Sequence, residues 1–134
     1  MKRREIREHI FKLLFLKEFN MPEEMDEQLS MYFDGLEGLQ EKEQSYMEGK
    51  YADACLKLEE IDKTLEETSK GWKVSRMSKV DLSILRLAVY EMNYDEEVPV
   101  KVAINEAVEL SKRFGGEESA SFVNGILGKI ASNE

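Results

Sequence analysis

The sequence predicts an all-α protein, a compact bundle of about six or seven helices. Apolar residues recur at intervals of three and four through most of the 134 residues, and no segment sustains the alternation of a strand. Proline is limited to Pro22 and Pro99, each at a helix entrance.

The first helix is expected over about Arg3 to Phe19. Ile6, Ile10, Leu13, Leu14 and Lys17 mark one stripe, which Phe11 and Phe15 broaden. Asn20-Met21-Pro22 ends it, and a second helix runs from Pro22 toward Asp34 with Met25, Leu29, Tyr32 and Phe33 inward. Gly35 and Gly38 punctuate the next stretch. A long acidic helix follows, roughly Lys42 to Ser69, with Met47, Tyr51, Cys55, Leu58, Ile61 and Leu65 on one narrow apolar face. Gly71-Trp72 closes this half. Ser78-Lys79-Val80-Asp81 reads as a capping box opening a helix over about Lys79 to Tyr94. Val80, Ile84, Leu85, Leu87, Ala88 and Met92 make that helix apolar on more than one side, so it should be the most buried. Pro99 suits the first turn of the next helix, which carries Val102, Ala103, Ile104, Ala107, Val108 and Leu110 until Gly115 and Gly116 stop it. Ser119 is the expected N-cap of a last helix lined by Phe122, Val123, Ile126, Leu127 and Ile130. The turn between the two is more heavily furnished than a minimal linker, with Phe114, Glu117, Glu118 and Ser119.

The length suits one domain, and a hydrophobic fraction of 42% argues against disorder. Cys55 is the single cysteine and His9 the single histidine, so neither a disulfide nor a zinc cluster is expected. The basic opening superficially resembles a signal peptide, but Lys12, Lys17 and Glu18 interrupt the apolar run and no stretch could span a bilayer. A soluble, cytoplasmic protein is the expectation. Net charge is −9, yet its distribution is uneven: residues 1–17 carry six cations against two acids, a net +4, while residues 22–69 hold fifteen acids against four lysines, a net −11.

No phosphate-cradling glycine loop or nucleophile elbow is present, and helical carboxylates of this kind usually form solvated faces. No enzyme activity, metal or cofactor is expected. Cys55 reads as a small core residue. The basic opening is the sharper feature. Lys2, Arg3, Arg4 and Arg7 project from the first turns of one helix, where guanidinium groups can fork onto phosphates; the same residues can equally serve to solvate an N-terminus. Phe114 and Phe122 either pack in the core or offer rings to unpaired bases, a stack being worth ~1–3 kcal/mol per base. Phe122 also fits the apolar stripe with Ile126 and Ile130.

Several blocks carry a family resemblance. Trp72, Arg76-Met77-Ser78-Lys79-Val80-Asp81 and Ile84 through Met92 resemble the central signature of the NusB antitermination proteins. Val98 through Leu110, Phe114-Gly115 and Phe122 through Leu127 resemble the blocks that follow, and the Arg-rich opening with Leu14-Phe15 is similar more weakly. The resemblance implies a single domain over 1–134 made of two packed helical subdomains, about 1–71 and 72–134. It implies a non-enzymatic factor that binds the single-stranded boxA element of ribosomal RNA transcripts together with the ribosomal protein NusE. Other Nus factors and RNA polymerase join the assembly, and self-association as a homodimer is within the family's repertoire. RNA contact would fall to Arg3, Arg4 and Arg7 with Lys2 beside them, and to Phe114, Glu118 and Phe122; the family often has Asp where this chain has Glu118. Asp81, and more weakly Arg76, match the NusE-facing side. Two other expectations stand beside this one. A NusB-like domain of an RNA-modifying enzyme would be followed by a methyltransferase domain, for which this sequence holds no nucleotide-binding segment. A helical protein-interaction module would have no RNA role.

Overall fold

In a computed structural model, which describes residues 1–133, seven α-helices follow one another without a strand. They are α1 (Arg3–Lys17), α2 (Met25–Asp34), α3 (Glu41–Leu56), α4 (Leu58–Ser69), α5 (Lys79–Tyr94), α6 (Val100–Phe114) and α7 (Ser119–Ser132), with short 3₁₀ turns at Pro22–Glu24 and Val74–Arg76. The all-α expectation holds. No described helix is long and apolar enough to cross a membrane. The chain divides into two compact units, Met1–Asp53 and Ala54–Glu134.

In the first unit, α1 buries Ile10, Phe11, Leu13 and Leu14. It ends at Lys17, two residues before the expected end, because the Glu18 and Phe19 amides turn back to Phe15 and Leu16 and the Asn20 side-chain amide donates to the Leu16 carbonyl at 2.9 Å. Lys17 is half-buried and stays outside the core stripe. Pro22 opens a 3₁₀ turn and not the helix itself, with Glu24 reaching back to accept the Met21 amide at 2.8 Å. Met25 and Phe33 of α2 are buried, while Leu29 and Tyr32 are only half-buried. Tyr32 serves a polar contact instead, its hydroxyl and His9 Nδ1 sharing a 2.6 Å hydrogen bond that ties α2 to α1.

The long acidic helix is two helices. The chain turns at Lys57, whose amide bonds Ala54 three residues back, and α4 starts at Leu58. Ala54 occupies the buried position that the sequence suggested for Cys55, which is half-buried, and Leu58 is half-buried as well.

The second unit is organised around α5, which contacts α4, α6 and α7. Every residue from Leu82 to Met92 is buried, as expected of a helix apolar on more than one side. Ser78 caps it, its hydroxyl oxygen accepting the Asp81 amide at 3.0 Å. Three of the buried residues are polar, Ser83, Arg86 and Glu91; Arg86, 7% exposed, donates through Nε and Nη2 to the two Asp62 carboxylate oxygens at 2.9 and 2.8 Å. This bidentate pair fixes α5 against α4. Such a fork satisfies a buried guanidinium, which would be costly if left unpaired. Along α6, Ala103, Ala107, Leu110 and Ser111 are buried, the alanines allowing close helix packing, whereas Val102 is exposed and Ile104 and Val108 are half-buried.

Candidate nucleic-acid interface

The α6–α7 turn is locked by its own hydrogen bonds. The Gly115 amide donates to Ser111 at 2.9 Å, the Gly116 amide to Ser119 Oγ at 3.0 Å, and the Ser119 amide to Gly116 at 3.2 Å. Ser119 is therefore the first residue of α7 and not its cap; Glu118 precedes it, and the Ser119 hydroxyl is spent on closing the turn. Glycine at 115 is required by space. A Cβ there would collide with the Ser119 side chain and stand 2.8 Å from the Ser111 carbonyl oxygen.

This turn sets the two aromatics. Phe114 is the last residue of α6 and is half-buried, with the Arg113 guanidinium over its ring at 4.9 Å from the centroid. Phe122 lies one turn into α7. The buried stripe of that helix runs through Val123, Ile126, Leu127 and Ile130 and leaves Phe122 half-exposed. Instead of packing in the core, Phe122 meets Trp72 in an edge-to-face contact, with centroids 6.2 Å apart and planes at 66°. Glu118 is exposed at the start of α7. Phe114, Glu118, Phe122 and Trp72 all belong to the second unit.

The sequence marks Trp72 as the close of one half, after Gly71, and as part of a family signature, but gives it no binding role. It is 54% exposed, yet its loop is well held. Lys70 and Gly71 adopt left-handed conformations, with φ of 46° and 105°. Ser69 Oγ then donates to the Trp72 carbonyl at 2.7 Å, and a Glu66 carboxylate oxygen accepts the Val74 amide at 3.0 Å. The Lys-Gly-Trp-Lys run marks a turn, but its neighbour on α7 is a tertiary contact that no local pattern shows.

Asp81, in the first turn of α5, is half-buried, and its Oδ1 has no hydrogen-bond partner among the described residues. Arg76 is exposed in the 3₁₀ turn before it.

The basic opening lies in the first unit. Lys2 precedes α1 in extended backbone; Lys2, Arg3 and Arg4 are exposed, and Arg7 is half-buried. Its start is anchored. The α-ammonium of Met1 pairs with a Glu43 carboxylate oxygen at 2.7 Å, and Glu43 also accepts the Gln40 amide at 3.1 Å. The hydrogen bond to Glu43 holds the ammonium proton above its ordinary range, and the same bond holds the Glu43 carboxyl below its own. No group of three or more His, Cys, Asp or Glu side chains that could hold a metal occurs among the described residues.

Comparison with known proteins gives the frame for these residues. A relative from Lachnoclostridium phytofermentans, a transcription antitermination protein NusB, is 56% identical over 130 residues, covering 97% of this chain and 98% of its own. The structure of T. maritima NusB superposes with a TM-score of 0.87 at 34% identity, over 100% of this chain and 93% of the other. A structure of the antitermination factors NusB and NusE in complex with dsRNA shares the fold, with a TM-score of 0.78 at 24% identity over 98% of this chain and 97% of that one. The NusB family model matches residues 4–132, and with relatives this similar over nearly their full length, the chain belongs to the NusB family.

Proposed function

We propose that this chain is a non-catalytic transcription antitermination factor that binds single-stranded boxA-type RNA of ribosomal RNA transcripts together with the ribosomal protein NusE. Within the family frame, the observation that carries the reading is the pair of half-buried rings, Phe114 and Phe122, held by a locked turn and left out of the fully buried stripe. Exposed or half-exposed rings suit unpaired bases, which can be splayed out and stacked, whereas bases in a duplex are already stacked on one another. Glu118 repels phosphate, so its part is to accept hydrogen bonds from a base amino group or a ribose hydroxyl. Lys2, Arg3, Arg4 and Arg7 supply phosphate contacts from the first unit, which add affinity without sequence preference.

NusE is the proposed partner of Asp81, with Arg76 beside it. Asp81 places a carboxylate in the first turn of α5, and the acidic stretch of residues 22–69 favours a partner of opposite charge. Other Nus factors and RNA polymerase complete the assembly in the cytoplasm, and a homodimer is the proposed state when RNA is absent.

The test is fluorescence anisotropy with boxA-like, scrambled and duplex RNAs, with and without NusE. The boxA-like single strand should bind tightest, and Phe122→Ala should weaken it by about 5- to 150-fold, the equivalent of ~1–3 kcal/mol. Equal affinity for the scrambled strand would refute sequence-specific recognition. Binding of NusE that survives charge reversal at Asp81 unchanged would remove Asp81 from the interface.

A further inference from the structure

We propose that the loop carrying Trp72 is a second RNA-binding element of the Ala54–Glu134 unit, with Trp72 stacking a base beside the one on Phe122 and Lys70 and Lys73 contacting the flanking phosphates. The proposal rests on the reading that RNA is bound at Phe122.

Three observations on the ring converge on it. Trp72 is 54% exposed on a loop that two left-handed residues and two side-chain hydrogen bonds hold in place. A large rigid ring so held loses little conformational freedom on binding a base. The ring also touches Phe122, so the two aromatics form one surface. Their planes stand 66° apart, which suits two bases splayed from a single strand better than two neighbours stacked in parallel.

Charge points the same way. In a chain of net charge −9, residues 70–80 hold Lys70, Lys73, Arg76 and Lys79 and no acid. Lys70 and Lys73 are both exposed and flank the ring in sequence. From Lys70 a polar groove continues along α7, lined by Asn124, Gly125, Gly128 and Lys129, with Glu67 as its acid. The glycines leave room for a backbone, and Asn124 and Lys129 offer donors to sugar and phosphate oxygens. In this proposal the strand passes from the Phe122 ring across Trp72 to Lys70, which lines the groove.

Trp72 is the only tryptophan, so its intrinsic fluorescence reports this site without a label. The experiment titrates the full chain with an unlabelled boxA-like single strand, following tryptophan emission, and repeats the titration by anisotropy of labelled RNA. Emission should be quenched saturably at the concentrations where anisotropy rises. Trp72→Leu, its folding checked by helical circular dichroism, should weaken binding about 5-fold or more. Lys70→Gln with Lys73→Gln should keep the quenching while lowering the slope of log affinity against log salt by about 1.4, at ~0.7 per phosphate on a single strand.

If RNA binds and Phe122→Ala weakens it while tryptophan emission stays constant and Trp72→Leu binds like the wild type, the loop proposal is overturned and the RNA reading stands. Quenching with undiminished affinity in Trp72→Leu also overturns it, since the ring would then lie near RNA without stacking. If the wild-type chain fails to bind RNA, both fall together.

Discussion

His9 and Tyr32 show how a single contact can give the fold a pH dependence. The pair is half-buried at 2.6 Å between α1 and α2, with the rings also meeting edge to face. Burial, and then the nearby Lys12 charge, hold the His9 pKa below its ordinary 6.5, with Glu8 and Glu5 opposing in part. Burial, helped by Glu8, pushes the Tyr32 hydroxyl up to about 12, so it stays neutral throughout the usual range. Because the folded value of His9 is depressed, the unfolded chain binds more protons below pH 6.5. The stability from neutral His9 is therefore present above pH 6.5 and lost as pH falls through the folded value. Between pH 7 and pH 5, thermal melts of the wild type should lose more stability than those of His9→Gln, which has no imidazole to titrate. Equal losses in the two proteins would show that His9 contributes nothing to the acid sensitivity. The sequence showed a lone histidine without a ligand partner, and that much was readable. Its tyrosine partner was not, since Tyr32 matched the inward stripe of its own helix.

At the scale of elements, what could be read depended on whether a local chemical signal marked the boundary. Helix α5 runs over the residues expected, because Ser78 caps its start and an acidic, proline-ended stretch follows it. The break at Lys57 had no such mark. Met47, Tyr51, Ala54, Leu58, Ile61 and Leu65 keep three- and four-residue spacing straight through it, so periodicity alone reads one helix. The α6–α7 turn falls between these cases. Two glycines announced it, but not that only Gly115 is sterically required. Gly115→Ala should therefore cost about 1–3 kcal/mol, the range for forcing an extra carbon into a packed site. Gly116→Ala, with nothing within 4 Å of its Cβ position, should be close to neutral. Chemical denaturation of the two variants checks the contrast, and a Gly116 variant as unstable as the Gly115 one would contradict the close approach. The same Gly115 substitution should weaken RNA binding, since it shifts the turn that sets both Phe114 and Phe122.

Across the whole molecule, charge and aromatic surface are divided in a way that binding experiments can separate. The cations of the opening lie in the first unit and the aromatic rings in the second, while residues 22–69 carry the acidic excess. The charge asymmetry was legible from the sequence, because charge counts need no fold. The aromatic surface was not, because the Phe122 position fitted a core stripe equally well and Trp72 is far from it in the chain. Phosphate contacts release counterions and stacking does not, so the two contributions respond differently to salt. Replacing Arg3, Arg4 and Arg7 together with glutamine should lower the slope of log affinity against log salt by about 2, at ~0.7 for each of three phosphates. The loss of affinity should then be large in dilute salt and shrink as salt rises. Phe122→Ala should do the reverse, lowering affinity by a similar factor at every salt concentration and leaving the slope unchanged. Anisotropy titrations of wild type and both variants over one salt series decide the matter. A triple variant with the wild-type slope would mean that the arginines only solvate the start of α1. A Phe122 variant whose deficit vanished at high salt would mean that the ring positions cations and does not stack a base.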